Sequence, residues 1–393
     1  MSSVCVMHVI TGLKVGGAER MLLRLLNHTR HHAIVVSLTD RGQLGEKIES
    51  LGVPVHCMGL SRNLSVLQGL AKLKSVMRQY RPAVVQSWLY AADFLCSFAT
   101  ASLNIPLWWN VRQSETHWVR EQWHVGINQR INARLSSRWP DGIVYCADAA
   151  RQTHHRIGYQ GRIETVIPNG IDTQAFIPSD DRRNRLRKNW VSDVTQSTVI
   201  LGIVGRYDPL KNHDRFLEVM ARLRQQLGRD CEVIALMVGR NIDNRNSDLM
   251  SKVMALGLGD HCHLLGERDD IGDLMNAMDL VLLTSNSEGW PNVLGEAMAC
   301  GRICVSSDVG DVALVTAEAG FVVNPVTTMD FVARCEQALN LDEASRIQLQ
   351  QRARQRIVDH FSIERAVKQY DTLYDAYEDS ENQNTLNRLD EDN

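Results

Sequence analysis

A chain of 393 residues with net charge −3, 44% hydrophobic and 23% charged, has the composition of an ordinary soluble globular protein of two or three domains. The apolar run Val4 to Ile10 is too short to span a membrane and leads into glycines, so it reads as a strand and not as a signal peptide. Nine cysteines are scattered without a CxxC or a Cys/His set at zinc spacing; Cys300 and Cys304 read as small core residues, and a reducing cytoplasm fits.

In chain order, the strand at Val4–Ile10 leads into a glycine-bearing loop, Thr11–Gly17. A helix follows over Glu19–Asn27, with Met21, Leu22, Leu25 and Leu26 on its apolar side. Ala33–Leu38 is a second strand, and Val53–Met58, Ala83–Gln86, Leu107–Asn110 and Gly142–Tyr145 fit further strands with helical stretches between them. The turn formers Ile167–Asp172 close this half. Ser179–Asn189 is dense in charge and reads as a linker followed by a solvated helix. The pattern then restarts. Thr198–Gly205 is a strand, Arg206–Asn212 a loop and Asp214–Leu227 a helix. Strands fit Val233–Val238, His263–Leu265, Asp279–Leu283, Ile303–Ser306 and Gly320–Val323.

This alternation predicts an α/β chain of two doubly wound parallel-sheet, Rossmann-like domains facing an interdomain cleft. Residues 1–185 would form the first and 190–362 the second, with a last helix over 363–378 and a disordered acidic tail from 379. Ligands of such sheets bind outside the carboxyl ends of the strands, so the strand-exit loops carry the function.

Three of these loops share a chemistry. In the first, Gly16 and Gly17 stand before a helix, where backbone could approach a phosphate; the stretch is neither a P-loop nor GxGxxG and also reads as a plain turn. In the second, Arg206 and Lys211 suit a diphosphate, as a planar fork and a point charge, or form a solvated surface pair. The third, SNSEGWPNVLGEAMACG (285–301), holds Glu288 and Glu296. A spacing of eight misses a common helix face by roughly 80°. Between them Pro291 starts a short helix, ended by Gly301, whose first amides near Asn292, Val293 and Leu294 form an anion site flanked by the two carboxylates. Cations, a helix dipole and close glycines for a diphosphate, with carboxylates for polyols, describe a nucleotide-sugar. No cofactor or metal is required, since Arg206 and Lys211 can stabilise a leaving diphosphate. The one DxD-like run, Asp390–Asp392, lies in the tail.

These stretches resemble the family 4 retaining glycosyltransferases with the GT-B fold, of the polysaccharide and lipopolysaccharide type. The resemblance is carried by GGAER (16–20), IPNGID (167–172), GRYDPLKNHDRFL (205–217), EGWPNVLGEAMACG (288–301) and DVGD (308–311), and spans most of the chain. The glutamate pair matches the family's E-x7-E motif. The resemblance implies Arg206 and Lys211 on the donor diphosphate, Glu296 on the ribose and Glu288 near sugar and phosphate. It also implies Gly16 and Gly17 facing the phosphates, amides from Asn292 to Leu294, and a last helix returning to the first domain. One position departs. Members of the polysaccharide type often read QSWMYHAD, and here Ala91 stands where the histidine would fall. His117 is the substitute this chain offers, or an ordinary surface histidine.

The expected partners are a UDP- or GDP-sugar donor and a glycan or lipid-linked acceptor, with an anionic membrane surface as a peripheral contact. Residues 62–81 and 112–140 are basic, aromatic and amphipathic, which suits such a surface or a buried face with solvated arginines. No nucleic-acid module is recognisable. Two rival readings remain at this stage: an NDP-sugar epimerase or hydrolase on the same scaffold, and a non-catalytic nucleotide-sugar-binding subunit.

Overall fold

The computed structural model describes residues 3–60, 66–114, 123–190, 198–228 and 231–377. Its chain divides into two compact units. The first takes in the chain up to Gly170 and resumes at Ile363; the second is Ile171–Ser362.

The first unit is built on a seven-stranded sheet: β1 (Cys5–Ile10), β2 (His32–Ser37), β3 (Val55–Cys57), β4 (Val84–Trp88), β5 (Leu107–Val111), β6 (Gly142–Tyr145) and β7 (Glu164–Val166). The order is β3-β2-β1-β4-β5-β6-β7. The second unit holds six strands: β8 (Val199–Val204), β9 (Val233–Val238), β10 (Cys262–Leu264), β11 (Leu280–Leu283), β12 (Ile303–Ser307) and β13 (Phe321–Val323). Their order is β10-β9-β8-β11-β12-β13. Every pairing in both sheets is parallel. Helices cover both faces of such a sheet, so central strands are apolar throughout: all six residues of β9 and all four of β11 are buried. The doubly wound architecture predicted from the alternating pattern is therefore the one observed.

In each sheet the winding reverses once, between β1 and β4 and between β8 and β11. Chains leaving neighbouring strands in opposite directions open a crevice there. The loops singled out in the sequence leave β1, β8 and β11, so all of them stand at a reversal.

The helix Ile363–Asp375 turns Ile363, Ala366, Val367, Tyr370 and Tyr374 inward and completes the hydrophobic core of the first unit. The segment expected as a linker and solvated helix differs. Asp180–Trp190 is a helix of the second unit, so that unit begins at Ile171 and not near 190. Two of its arginines, Arg183 and Arg187, are turned inward because Asp279, just before β11, pairs with both. Arg183 pairs with Asp279 Oδ1, and Arg187 Nη1 lies 2.9 Å from Asp279 Oδ2. Burial alone would raise the Asp279 carboxyl, but the two guanidinium groups and the Ile200 amide hold it below its usual range.

Candidate functional site

In the second unit, the crevice between β8 and β11 is assembled from two loops tied to each other. After β8, the backbone of Gly205 passes so close to Gly239 that a Cβ on Gly239 would lie 2.1 Å from the Gly205 carbonyl oxygen. The loop then turns on Asp208: its Oδ1 accepts from the Leu210 amide at 2.9 Å and its Oδ2 from Arg206 Nε at 2.7 Å. Burial would raise this carboxyl, but the Leu210 amide, Arg206 and Lys211 together lower it. Arg206 remains half exposed at the rim.

Asn212 ends the loop in the left-handed conformation, φ 50°, which asparagine tolerates better than most residues. There it caps the helix His213–Leu227, its Oδ1 accepting from the Arg215 amide at 3.1 Å. The loop after β11 is fastened to this turn. Asn286 donates its amide to the Leu210 carbonyl at 2.7 Å, and the Thr284 hydroxyl lies 3.0 Å from the carbonyls of both Lys211 and Asn212.

Fastening the loops brings Lys211 and Glu288 together. Lys211 Nζ donates to Glu288 Oε1 at 2.6 Å, and the Ser285 hydroxyl donates to the same oxygen at 2.6 Å. The Glu288 side chain is only 8% exposed and that of Lys211 24%. The pair is shielded enough to matter, yet its cation still reaches solvent. The backbone under Glu288 is held from a third side. Gly310, at φ 58°, leans on it so closely that a Cβ would lie 2.5 Å from the Glu288 carbonyl. This explains DVGD spatially: its glycine is the floor of the glutamate loop.

The helix Asn292–Ala299 starts beyond Pro291, with no side-chain cap and no acid in its first turn. The Asn292 amide is not free, since it donates to the Trp290 carbonyl at 2.9 Å. The amides of Val293 and Leu294 come next in the same first turn, where a helix supplies no acceptor of its own. Glu296 sits one turn in and is buried, 6% exposed. Beneath the loop, His213 lies against the Tyr207 ring at 5.2 Å, and burial, helped by the Lys211 charge, lowers it to about 4.

The other predicted site residues lie in the first unit. Gly16 precedes the helix Gly17–His28, after β1. The carboxyl group of Glu19 folds back against it: a Cβ on Gly16 would be 2.3 Å from Glu19 Oε2. Burial raises the Glu19 carboxyl, with its own amide acting against. Ala91 stands in the first turn of the helix Tyr90–Ala101, after β4, and His117 lies outside the described residues.

Three features of this first crevice had no signal in the sequence. Leu89, before Ala91, has φ 72° and ψ 157°, a region reserved almost entirely for glycine. Trp88 Nε1 donates to His8 Nδ1 at 3.2 Å. From the last helix, the Tyr370 hydroxyl receives Asn110 Nδ2 at 3.0 Å and Arg112 Nη1 at 3.1 Å. Ser285 in the second unit was legible only as a loop residue, and its role depends on where Glu288 folds.

Known proteins resemble this chain in sequence and in fold. Residues 15–175 match the family described as "Glycosyltransferase Family 4" and residues 198–341 the one described as "Glycosyl transferases group 1". EpsF of Bacillus subtilis (strain 168) is 26% identical over 329 residues, 77% of this chain and 79% of that protein. The N-acetyl-alpha-D-glucosaminyl L-malate synthase of Bacillus anthracis is 27% identical, over 59% of this chain and 58% of its own length. The UDP-Gal:alpha-D-GlcNAc-diphosphoundecaprenol alpha-1,3-galactosyltransferase of Escherichia coli is 28% identical, over 55% and 54%. This chain thus spans little more than half the length of the last two. The crystal structure of HepE from Anabaena in complex with UDP-glucose has the same fold, with a TM-score of 0.80 at 22% identity, covering 95% of this chain and all of that one. With both halves of the chain matched in sequence and the two-sheet architecture matched in structure, the protein belongs to the family 4 glycosyltransferases of the GT-B fold.

Proposed function

We propose that the protein transfers a sugar from an NDP-sugar, a UDP- or GDP-sugar, to a glycan or lipid-linked acceptor, with retention at the anomeric carbon and without a metal. The observation that carries this reading is the Lys211–Glu288 pair at 2.6 Å beside an uncapped helix start. Lys211 and Arg206 neutralise the departing diphosphate, with the amides of Val293 and Leu294 adding donors. Glu288, held by Lys211 and Ser285, orients the donor, and Glu296 binds the ribose hydroxyls. Gly16 and Gly17 give backbone access to the phosphates from the first unit, and His117 takes the place of the histidine that Ala91 lacks. In retention on such a site, the acceptor hydroxyl attacks from the face the diphosphate leaves, and its proton passes to the leaving oxygen.

The relatives inform the substrates. UDP-glucose is bound by HepE, and the E. coli relative acts on a lipid diphosphate. A lipid-linked acceptor in cell-surface polysaccharide synthesis fits the second of these. A cytoplasmic location, at the inner face of the membrane, fits nine free cysteines. It also fits the basic helix Val66–Tyr80, which buries Leu73 and Met77 while Leu67 stays 76% exposed. Among the described residues no helix is long and apolar enough to cross a membrane.

The deciding experiment is nucleotide release from a panel of UDP- and GDP-sugars in EDTA, with and without a membrane lipid extract. Release that needs the extract supports a metal-independent transferase and identifies the donor. Release without acceptor favours hydrolysis, and conversion of the donor to an isomeric NDP-sugar without release favours epimerisation. Binding with no release under either condition rejects the transferase reading. The anomeric configuration of the product, read by NMR, tests retention.

A further inference from the structure

Arg112 directly follows β5, at the carboxyl ends of the first sheet. Its guanidinium is fixed along one side only. Nη1 donates to Asn110 Oδ1 at 3.2 Å and to the Tyr370 hydroxyl at 3.1 Å, and the group lies 5.5 Å over the Trp88 ring. Tyr370 and Trp88 are themselves buried and stacked, with ring centres 6.3 Å apart. The opposite edge is Nε and Nη2. Both atoms are buried and neither has a hydrogen-bond partner among the described residues. The Ser114 hydroxyl, two residues on, is buried and unpartnered as well.

A guanidinium keeps its charge at any working pH, so this edge is two charged donors out of water with nothing to donate to. A fold gains no stability from that arrangement. The Nε–Nη2 edge is also the one whose two parallel N–H groups match both oxygens of a carboxylate or phosphate. Anchoring Nη1 on Asn110 and Tyr370 leaves that edge rigid and oriented, which lowers the entropy lost on binding.

We propose that Arg112, with Ser114, forms an oxyanion-binding subsite of the first unit and holds the phosphate or carboxylate group of the acceptor. The word acceptor rests on the transferase reading; the anion site itself does not. The edge is closed to bulk water, so an anion bound there meets a desolvated charge, where the interaction is strong.

The test uses the full chain carrying Arg206→Ala and Lys211→Ala, which removes the proposed donor cations. Inorganic phosphate and malonate are titrated separately, and the Arg112 Nε–H resonance is followed by NMR, identified by its loss in Arg112→Lys. A saturable shift of that resonance is expected with at least one anion, and the tighter of the two names a phosphate or carboxylate acceptor. By calorimetry, Arg112→Lys, which keeps the charge without the fork, should weaken the same anion about tenfold or more. Ser114→Ala should weaken it several-fold with the melting temperature unchanged. A resonance indifferent to both anions overturns the proposal, as does undiminished binding in Arg112→Lys. Anion binding that persists while no nucleotide is ever released would fail the transferase reading alone and leave the subsite standing.

Discussion

The two winding reversals of this protein are built from the same topology and finished in opposite ways. In the second unit the polar groups at the reversal are paired: Lys211 with Glu288, Ser285 with Glu288, Arg206 with Asp208. In the first unit the reversal carries a strained Leu89, and the neighbouring β5 exit carries Arg112 with an unpaired edge. A paired crevice is pre-organised for a ligand whose polar part is constant, such as a nucleoside diphosphate. A crevice with strain and spare donors is stable only because the surrounding core enforces it.

Breaking the paired side should have the largest effect. Lys211→Ala removes the cation proposed to face the leaving group and should lower transfer by about 100- to 1000-fold while weakening nucleotide binding. Normal turnover in that variant would remove the basis of the donor assignment. Glu288→Gln keeps the shape and loses the charge that holds Lys211, so turnover should fall about 100-fold with donor affinity nearly unchanged. An affinity loss with turnover intact would make Glu288 a binding group only. Gly310→Ala forces a Cβ onto the Glu288 carbonyl from a left-handed backbone and should destabilise by about 1–3 kcal/mol, with activity falling further than stability explains. Kinetics alongside thermal melting separates the two effects.

Acid should sharpen the contrast. Burial lowers His213 to about 4, and His261 and His263 are also lowered, so in the second unit the unfolded chain takes up protons first. Stability held above about pH 6.5 is lost as pH falls toward 4, by about 1.4 kcal/mol per pH unit for each proton of difference. In the first unit His8 and His154, lowered to about 3 and about 4, act in the same direction. There Asp93 and Glu19 are raised by burial, bind protons better when folded, and oppose it. The second unit should therefore loosen first on acidification, read as amide hydrogen exchange resolved by unit; earlier loosening of the first unit would contradict this balance. The smallest effect is expected at Leu89→Gly, which relieves the glycine-like backbone and should raise stability by about 1 kcal/mol. A lower melting temperature would mean that the leucine side chain contributes more by packing than its backbone costs.

The sheets were legible because parallel strands buried on both faces are written as plain apolar runs, as in VIALMV and LVLL. β7 was not, being three half-buried residues with no run to mark it. The Glu288 loop was legible because strand, glycine, proline and helix former follow one another locally. What lay beyond reach was set by partners distant in sequence. Arg183 and Arg187 look solvated until Asp279 folds against them. Gly310 is one glycine among many until the Glu288 carbonyl lands on it, and Arg112 is one of a basic run until Tyr370 takes one side of it.

The chain leaves the first unit at Gly170 and re-enters it at Ile363, and the two points touch: a Cβ on Gly170 would lie 2.5 Å from the Ile363 Cα. On the other side of the same junction, Ile171 and Ser362 form a parallel bridge. The second unit is thus an insert with adjoining ends, spliced into a host that is continuous in space. Deleting it leaves two termini that a very short peptide can join, and closing its own ends yields a self-contained cassette. Gene fusion and exchange of this unit between hosts need only respect that one seam.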